Sequence, residues 1–197
     1  MKRVLSASLA ATLGVLLAAS PAAAAGKPLD VVKKAVITRI DKRLDALKKD
    51  SAALDGAKHL QAPHKQALQQ LIDGQSAELT KLRAKTEAET TAEALKADAR
   101  SMVVDYRVFI LTGPKVRLSI VIDTELAAAG KLHDRDNADD AKLDAVEKSL
   151  NGKVDALLAI QPGPDGDAIR AQVKTIRTTA KDARATLKAL NKSTRGK

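Results

Sequence analysis

The 197-residue chain contains no cysteine and no tryptophan, and Tyr106 and Phe109 are its single tyrosine and phenylalanine. Without cysteine, the chain has no disulfide, no thiolate metal site, no iron–sulfur cluster and no cysteine nucleophile. With so few aromatic rings, it lacks the platforms on which nucleobases stack and the walls of most sugar or cofactor pockets. These absences exclude broad classes of redox, metal-binding and nucleobase-binding proteins.

Motifs of the common enzyme classes are also missing: the sequence has no H-E-x-x-H, G-x-S-x-G, P-loop or G-x-G-x-x-G pattern. The acid-rich residues 133–140 resemble a calcium loop, but glycine is absent at the sixth position of that template. We interpret them as a solvated loop in which Asp136 or Asn137 caps the next helix. We therefore expect no enzyme, no cofactor and no metal site. The chain has three histidines, His59, His64 and His133, and no two of them stand at the i, i+4 spacing at which a helix presents two metal ligands.

Residues 1–25 have the pattern of a secretory signal peptide. Lys2 and Arg3 precede an apolar run over residues 4–18, and small residues follow up to a cleavage point after Ala25. The alternative is an uncleaved membrane anchor, but the run is short for a membrane span and is followed by an A-x-A pattern. We expect a secreted protein, extracellular or cell-wall associated, whose mature part is one helical domain of residues 26–197 without a transmembrane segment.

The remaining chain predicts an all-α fold. It is rich in Ala, Leu, Lys, Glu and Gln, and its apolar residues recur at spacings of three and four. The first helix covers residues 29–54, the second begins at Pro63, and Thr90 with Glu93 forms a capping box that opens the third. The predicted core positions are Val32, Val36, Ile40, Leu44, Leu47, Leu54, Leu68, Ile72, Leu79, Leu82, Leu95, Ala99, Met102, Tyr106 and Phe109.

Residues 108–122 are ambiguous because they are rich in β-branched side chains on both sides of Gly113 and Pro114. This pattern fits a β-hairpin, but an isolated two-stranded hairpin has little stability, and both flanks are strongly helical. We favour two helices that meet at a proline kink near Pro114.

The last two helices show the clearest pattern. A fifth helix places apolar residues at heptad positions, residues 162–166 form a turn, and a sixth helix repeats apolar residues over three heptads. The short turn makes the fifth helix the expected antiparallel partner of the sixth, within an elongated antiparallel bundle of helical hairpins. The predicted seam positions are Leu143, Val146, Leu150, Leu157 and Ile160, then Ile169, Val173, Ile176, Ala180, Ala183, Leu187 and Leu190.

Residues 105–114 read D-Y-R-V-F-I-L-T-G-P and follow an alanine- and aspartate-containing stretch at residues 95–98. This D-Y-R-V-[YF]-x-L…P pattern resembles a group of secreted, coiled-coil-like helical proteins of high-GC Gram-positive bacteria. The resemblance covers about residues 36–190 and departs at residues 161–167, where that group has a longer proline–asparagine turn. It implies an exported helical fold, and no catalytic residues come with it.

Positive charge is concentrated at the C-terminal end. The net charge is +10, and residues 170–197 hold nine Lys or Arg residues against one acid, Asp182. Six of these cations each follow a seam residue by one position, so they line one edge of the sixth helix. Such a ladder suits docking onto a wall polymer, lipid headgroups or extracellular nucleic acid. The candidate polyanion-binding residues are Arg170, Lys174, Arg177, Lys181, Arg184 and Lys188.

The alternative interpretation of the ladder is a solvated flank that acids of the fifth helix, Asp140 among them, partly neutralise. An antiparallel register about the turn then places Glu147 beside Arg184 and Asp144 beside Lys188.

The sequence thus predicts an exported, non-enzymatic helical protein that acts at the cell envelope by interaction or scaffolding. The expected partners are an anionic envelope polymer or a partner helix, and no small-molecule substrate is evident. The alternative function is a secreted binding module for a wall polymer, anionic lipid or DNA that acts through the basic C-terminal helix. We do not expect sequence-specific nucleic-acid recognition, because no helix combines aromatic and amide side chains for reading bases.

Overall fold

The computed structural model describes residues 28–135 and 139–195. Within these ranges the chain forms seven α-helices and one π-helical segment and no strand, which confirms the all-α class. The predicted signal peptide, residues 1–25, lies outside the described residues, and so do the predicted capping residues Asp136 and Asn137.

The first two helices form a hairpin, with α1 spanning Leu29–Asp55 and α2 spanning Ala62–Ala88. Gly56 is the C-cap of α1, and Pro63 stands in the first turn of α2, where its missing N–H would have no helical partner anyway. The two predicted apolar stripes supply most of the buried residues of this hairpin: Val36, Ile40, Leu47, Leu54, Leu68, Ile72, Leu79 and Leu82.

Helix α3 spans Ala92–Val104, and its N-cap is Thr91 rather than the predicted Thr90. The Thr91 hydroxyl accepts a hydrogen bond from the backbone N–H of Ala94 at 3.2 Å, which satisfies one free donor of the first turn. Leu95 and Met102 are buried, as their positions on the apolar stripe predict.

A break in the helical path lies a few residues before Pro114. Arg107 has a left-handed backbone with φ of 48°, and its guanidinium donates hydrogen bonds to the carbonyl oxygens of Gly163 at 2.7 Å and Pro164 at 2.6 Å. These two bonds help to offset the cost of that conformation. The π-helical segment Val108–Thr112 then leads directly into α4, Gly113–His133, so the hairpin alternative is excluded.

The predicted fifth helix is interrupted. It consists of α5, Asp140–Leu150, and α6, Lys153–Ala159, because Gly152 takes a left-handed backbone with φ of 72°. The N-cap of α5 is Asp139, whose side chain accepts from the N–H of Lys142 at 3.2 Å. Both α5 and α6 contact α4, and all five apolar residues predicted for this region are buried.

Helix α7 spans Gly166–Arg195, and the seven predicted seam residues from Ile169 to Leu190 are all buried. It packs against α5 and α6, the two parts of its predicted partner, and about as extensively against α4. The predicted pairing of the last two helices is therefore only part of the arrangement, because α7 also lies along α4.

Helix α4 links two apolar clusters. One cluster joins α1, α2 and α3 to Val116 and Ile120 of α4, and the other joins the α4 residues Leu118, Ile122, Ala129 and Leu132 to α5, α6 and α7. Polar contacts from α4 reach both sides. The buried Asp123 accepts from the backbone N–H of Gln61 at 2.8 Å and contacts Nδ1 of His64 at 2.8 Å, which fixes the start of α2 against α4.

Lys115 joins α4 to α6, as Asp123 joins α4 to the start of α2. The side chain is buried, and Nζ donates to the carbonyl oxygens of Leu158 at 2.8 Å and Ile160 at 2.6 Å, at the end of α6. Burial lowers the pKa of Lys115 to about 8. Because Nζ supplies donors to carbonyls that no longer have a helical partner, Lys115 acts as a cap for α6.

Candidate anion-binding surface

The cationic ladder lies where the heptad pattern predicts it, along one edge of α7. The seam residues point into the core, so the residue after each of them is turned toward the border of the helix and solvent. All six side chains of the ladder are exposed: Arg170, Lys174, Arg177, Lys181, Arg184 and Lys188.

The acids of α5 do not neutralise this ladder. Asp140, Asp144 and Glu147 surround His133 at the end of α4, and none of the described residues of the ladder pairs with them. The predicted pairs of Glu147 with Arg184 and of Asp144 with Lys188 are therefore wrong.

The reason is the position of α7 between its two neighbours. The edge of α7 that faces α5 carries Thr179, Asp182 and Thr186, which line a groove with Lys142 and Ser149. The ladder lies along the opposite edge, at the border with α4 and the π-helical segment. Across the described ranges, the ladder makes one ion pair, between Nη1 of Arg170 and Oδ1 of Asp167 at 2.6 Å.

Phe109 lies at this border and is 54% exposed, so the prediction that it belongs to the core is wrong. It is the second residue of the π-helical segment, which begins directly after the left-handed Arg107. That backbone change ends the α3 register, so Phe109 no longer continues the apolar stripe of Leu95 and Met102. Tyr106, which precedes the break, is half-buried against the first cluster.

The exposed ring of Phe109 is surrounded by cations. The guanidinium carbon of Arg43 lies 5.0 Å from the ring centroid, within the range of a cation–π contact. Phe109 also forms a wall of two shallow grooves, of about 310 and 360 Å³. Their lining cations are Arg170, Lys174 and Arg177 on the α7 side, and Lys42, Lys49 and Arg117 on the α1 side.

Two acids reduce the positive charge of the groove on the α1 side of Phe109. Asp45 and Asp50 line the same groove as Lys42 and Lys49, and Oδ1 of Asp50 lies 3.7 Å from the guanidinium of Arg117. Burial raises the pKa of Asp50, although Arg117 opposes this effect. The α7 side of Phe109 has no acid in its groove lining, so the stronger positive field lies along α7.

A further groove lies between α4 and α7 and has a volume of about 400 Å³. Its wall includes Glu125, which is 6% exposed and whose two carboxyl oxygens have no hydrogen-bond partner. Burial raises the pKa of Glu125 to about 7, and the nearby Arg184 partly opposes the shift. No feature of the sequence marks this acid, because its burial depends on how α7 lies over α4.

The structure also brings together a set of side chains with metal-ligand chemistry. One ring nitrogen of His133 and carboxylate oxygens of Asp144 and Glu147 lie within 4.8 Å of one another. One imidazole and two carboxylates can hold a divalent cation. The same geometry lets the carboxylates accept from a protonated imidazole, since Asp140 lies 3.1 Å from Nδ1 and the other two acids lie 3.6 Å from Nε2. These contacts add to the apolar packing of Ala129 and Leu132 of α4 against the buried residues of α5.

Comparisons with known proteins add no relative to this picture: no protein-family model, no curated protein and no solved structure matches the chain. The resemblance to secreted helical proteins of high-GC Gram-positive bacteria stays a prediction. None of the helices that the structure describes contains a stretch long and apolar enough to cross a bilayer.

Proposed function

We propose that this chain is an exported, non-enzymatic helical protein that acts at the cell envelope by docking onto an anionic membrane surface. The observation that carries the proposal is the exposed ring of Phe109 beside the exposed cations of α7. In this arrangement the cations meet phosphate headgroups while the ring enters the interface between headgroups and acyl chains.

The observation favours lipid over the other anions considered. A wall polymer or DNA backbone supplies phosphates for the ladder but offers little apolar volume to a single phenylalanine ring. Stacking on nucleobases requires several aromatic side chains in succession, and the chain has one phenylalanine and one tyrosine. An anionic lipid surface accommodates both the cations of α7 and the exposed ring of Phe109.

The proposal assigns no reaction to the chain. The contacts of His64 with Asp123 and of His133 with the acids of α5 join helices to one another. Lys115 donates to backbone carbonyls at the end of α6. These side chains support the fold that presents the ladder and Phe109.

Vesicle binding by the mature part of the chain, residues 26–197, tests the proposal, because the apolar run of residues 4–18 would itself bind lipid. We expect binding to vesicles of phosphatidylglycerol and phosphatidylcholine, and much weaker binding to phosphatidylcholine alone. The triple variant Lys174/Arg177/Lys181→Ala is expected to bind the anionic vesicles on the order of 100-fold more weakly at low salt, since each cation near such a surface contributes about 1 kcal/mol. Added salt should weaken the parent more than the variant.

The matched control removes three exposed lysines on other helices, Lys34, Lys96 and Lys148, and so changes the net charge by the same amount. It is expected to bind nearly as well as the parent. Phe109→Ala separates lipid from polymer, because it should weaken vesicle binding and leave binding to a soluble polyphosphate unchanged. Equal losses for the two triple variants, or no binding by the parent, would contradict the proposal.

A further inference from the structure

The groove between α4 and α7 has the dimensions and lining of a small-molecule site. Its volume of about 400 Å³ falls within the usual range for ligand pockets, roughly 300–1,000 Å³. The apolar part of its lining comes from Ala128, Leu132 and Leu187, and the last two are buried. Cations from both sides of the border complete it: Lys131, Arg135, Arg184 and Lys188.

Glu125, in the wall of this groove, has a carboxyl group without a hydrogen-bond partner. Both carboxyl oxygens are buried and lack a hydrogen-bond partner, a costly state for a polar group inside a protein. Glu125, Thr124 and Arg184 line the groove and also a smaller adjoining cavity of about 110 Å³. The acid therefore stands where a polar group of a bound molecule can approach it.

The lining decides the chemistry of the occupant. Four cations disfavour a metal ion or an amine, and a free inorganic anion would leave the apolar floor uncovered. We propose that the groove binds a single-chain anionic amphiphile, with its carboxylate or phosphate head among the four cations and its alkyl chain over Ala128, Leu132 and Leu187. A neutral Glu125 carboxyl donates a hydrogen bond to the head. The inference concerns one bound molecule and does not depend on docking to a membrane.

Calorimetric titration of residues 26–197, the expected mature part of the chain, with dodecanoate kept below its micelle-forming concentration tests the inference. We expect saturable binding of one molecule per chain. Two probes each lack one part of the amphiphile: acetate has the head without the chain, and dodecyltrimethylammonium has the chain with a positive head. Both should bind at least tenfold more weakly than dodecanoate. Equal affinity for dodecyltrimethylammonium, or no binding of dodecanoate, would overturn the proposal.

Variants locate the binding site. Ala128→Trp fills the groove without changing its charge and should weaken dodecanoate binding at least tenfold. Ala145→Trp is the matched control, because Ala145 lines the groove on the opposite, α5-facing edge of α7, and its binding should equal that of the parent. The exposed double variant Lys131→Gln/Lys188→Gln keeps the packing intact and should also weaken binding. Unchanged binding in that variant overturns the proposal even where the tryptophan variant fails to fold.

Discussion

At the scale of single residues, Glu125 connects burial to pH. Its pKa is raised to about 7 in the folded protein from an ordinary value of 4.5, because burial disfavours the carboxylate. A raised carboxyl pKa means that the folded state holds its proton more tightly than the unfolded chain does. The stability that this gives is complete below about pH 4.5 and is lost as the pH rises through about 7. The nearby Arg184 favours the carboxylate and reduces the loss.

The substitution Glu125→Gln therefore has a pH-dependent effect. Glutamine stays neutral, so the variant should gain stability relative to the parent between pH 5 and pH 8, by up to roughly 3 kcal/mol. Urea denaturation at both pH values measures the change in the free energy of unfolding. Glu93→Gln, at an exposed position of α3, serves as the control and should follow the parent. A parallel pH dependence of the Glu125 variant and the parent would contradict the prediction.

Phe109 yields the second prediction at this scale. A buried phenylalanine loses about 3–5 kcal/mol on truncation to alanine, which is the cost that its predicted core position implied. Since the ring is 54% exposed, Phe109→Ala should lower the free energy of unfolding by less than about 1.5 kcal/mol. Met102→Ala, at a fully buried position of α3, should cost about 2–5 kcal/mol. Urea unfolding followed by circular dichroism compares the two, and equal costs would place Phe109 back in the core.

At the scale of elements, the interruption between α5 and α6 depends on one backbone conformation. Gly152 has φ of 72°, and a Cβ added there would meet no atom within 4 Å. The cost of Gly152→Ala is therefore conformational alone, about 1–2 kcal/mol of stability. It should appear as a lower midpoint in thermal unfolding.

Gly74→Ala is the matched control for this prediction. Gly74 lies within α2, has an ordinary helical backbone and also has open space around its Cβ position. Alanine should stabilise that helix by about 0.4–1 kcal/mol, because it reduces the freedom of the unfolded chain. Opposite signs for two otherwise similar substitutions would trace the effect to the left-handed backbone, whereas equal signs would reject that explanation.

At the scale of the whole molecule, α4 couples the two apolar clusters. It contributes Val116 to one and Ile122 to the other, and Asp123 and Lys115 tie it to α2 and α6. If either cluster unfolded, one apolar side of α4 and its buried polar groups would be exposed to water. Neither cluster therefore keeps α4 fully buried without the other. We expect both clusters to unfold together.

The chain offers a direct test of this coupling. Tyr106 is the only tyrosine, and the chain has no tryptophan. Because the Tyr106 ring packs against the first cluster, tyrosine fluorescence reports on that cluster alone. Circular dichroism reports on all helices. The two urea transitions should coincide in the parent and shift together in Leu157→Ala, a substitution in the second cluster. A fluorescence transition that stays in place while the dichroism transition moves would show that the clusters unfold separately.

Much of this architecture follows from local pattern. The extent of α1, the start of α2 and the seam of α7 could be predicted because a helix with one buried face must repeat its apolar residues every three or four positions. The exposure of the six ladder cations follows from the same periodicity, since each of them stands one position after a buried seam residue. These properties depend on the geometry of a single helix.

Contacts between helices decided the rest. The pattern of α7 defines its apolar face without specifying which helices cover that face, so the contact with α4 and the separation of the α5 acids from the ladder required the tertiary structure. The left-handed Arg107, which is bonded to the carbonyls of residues 163 and 164, turned Phe109 outward. Glu125 is buried only because α7 crosses its position on α4. Sequence periodicity reports which way a side chain points from its own helix, and the neighbouring helices determine what it meets there.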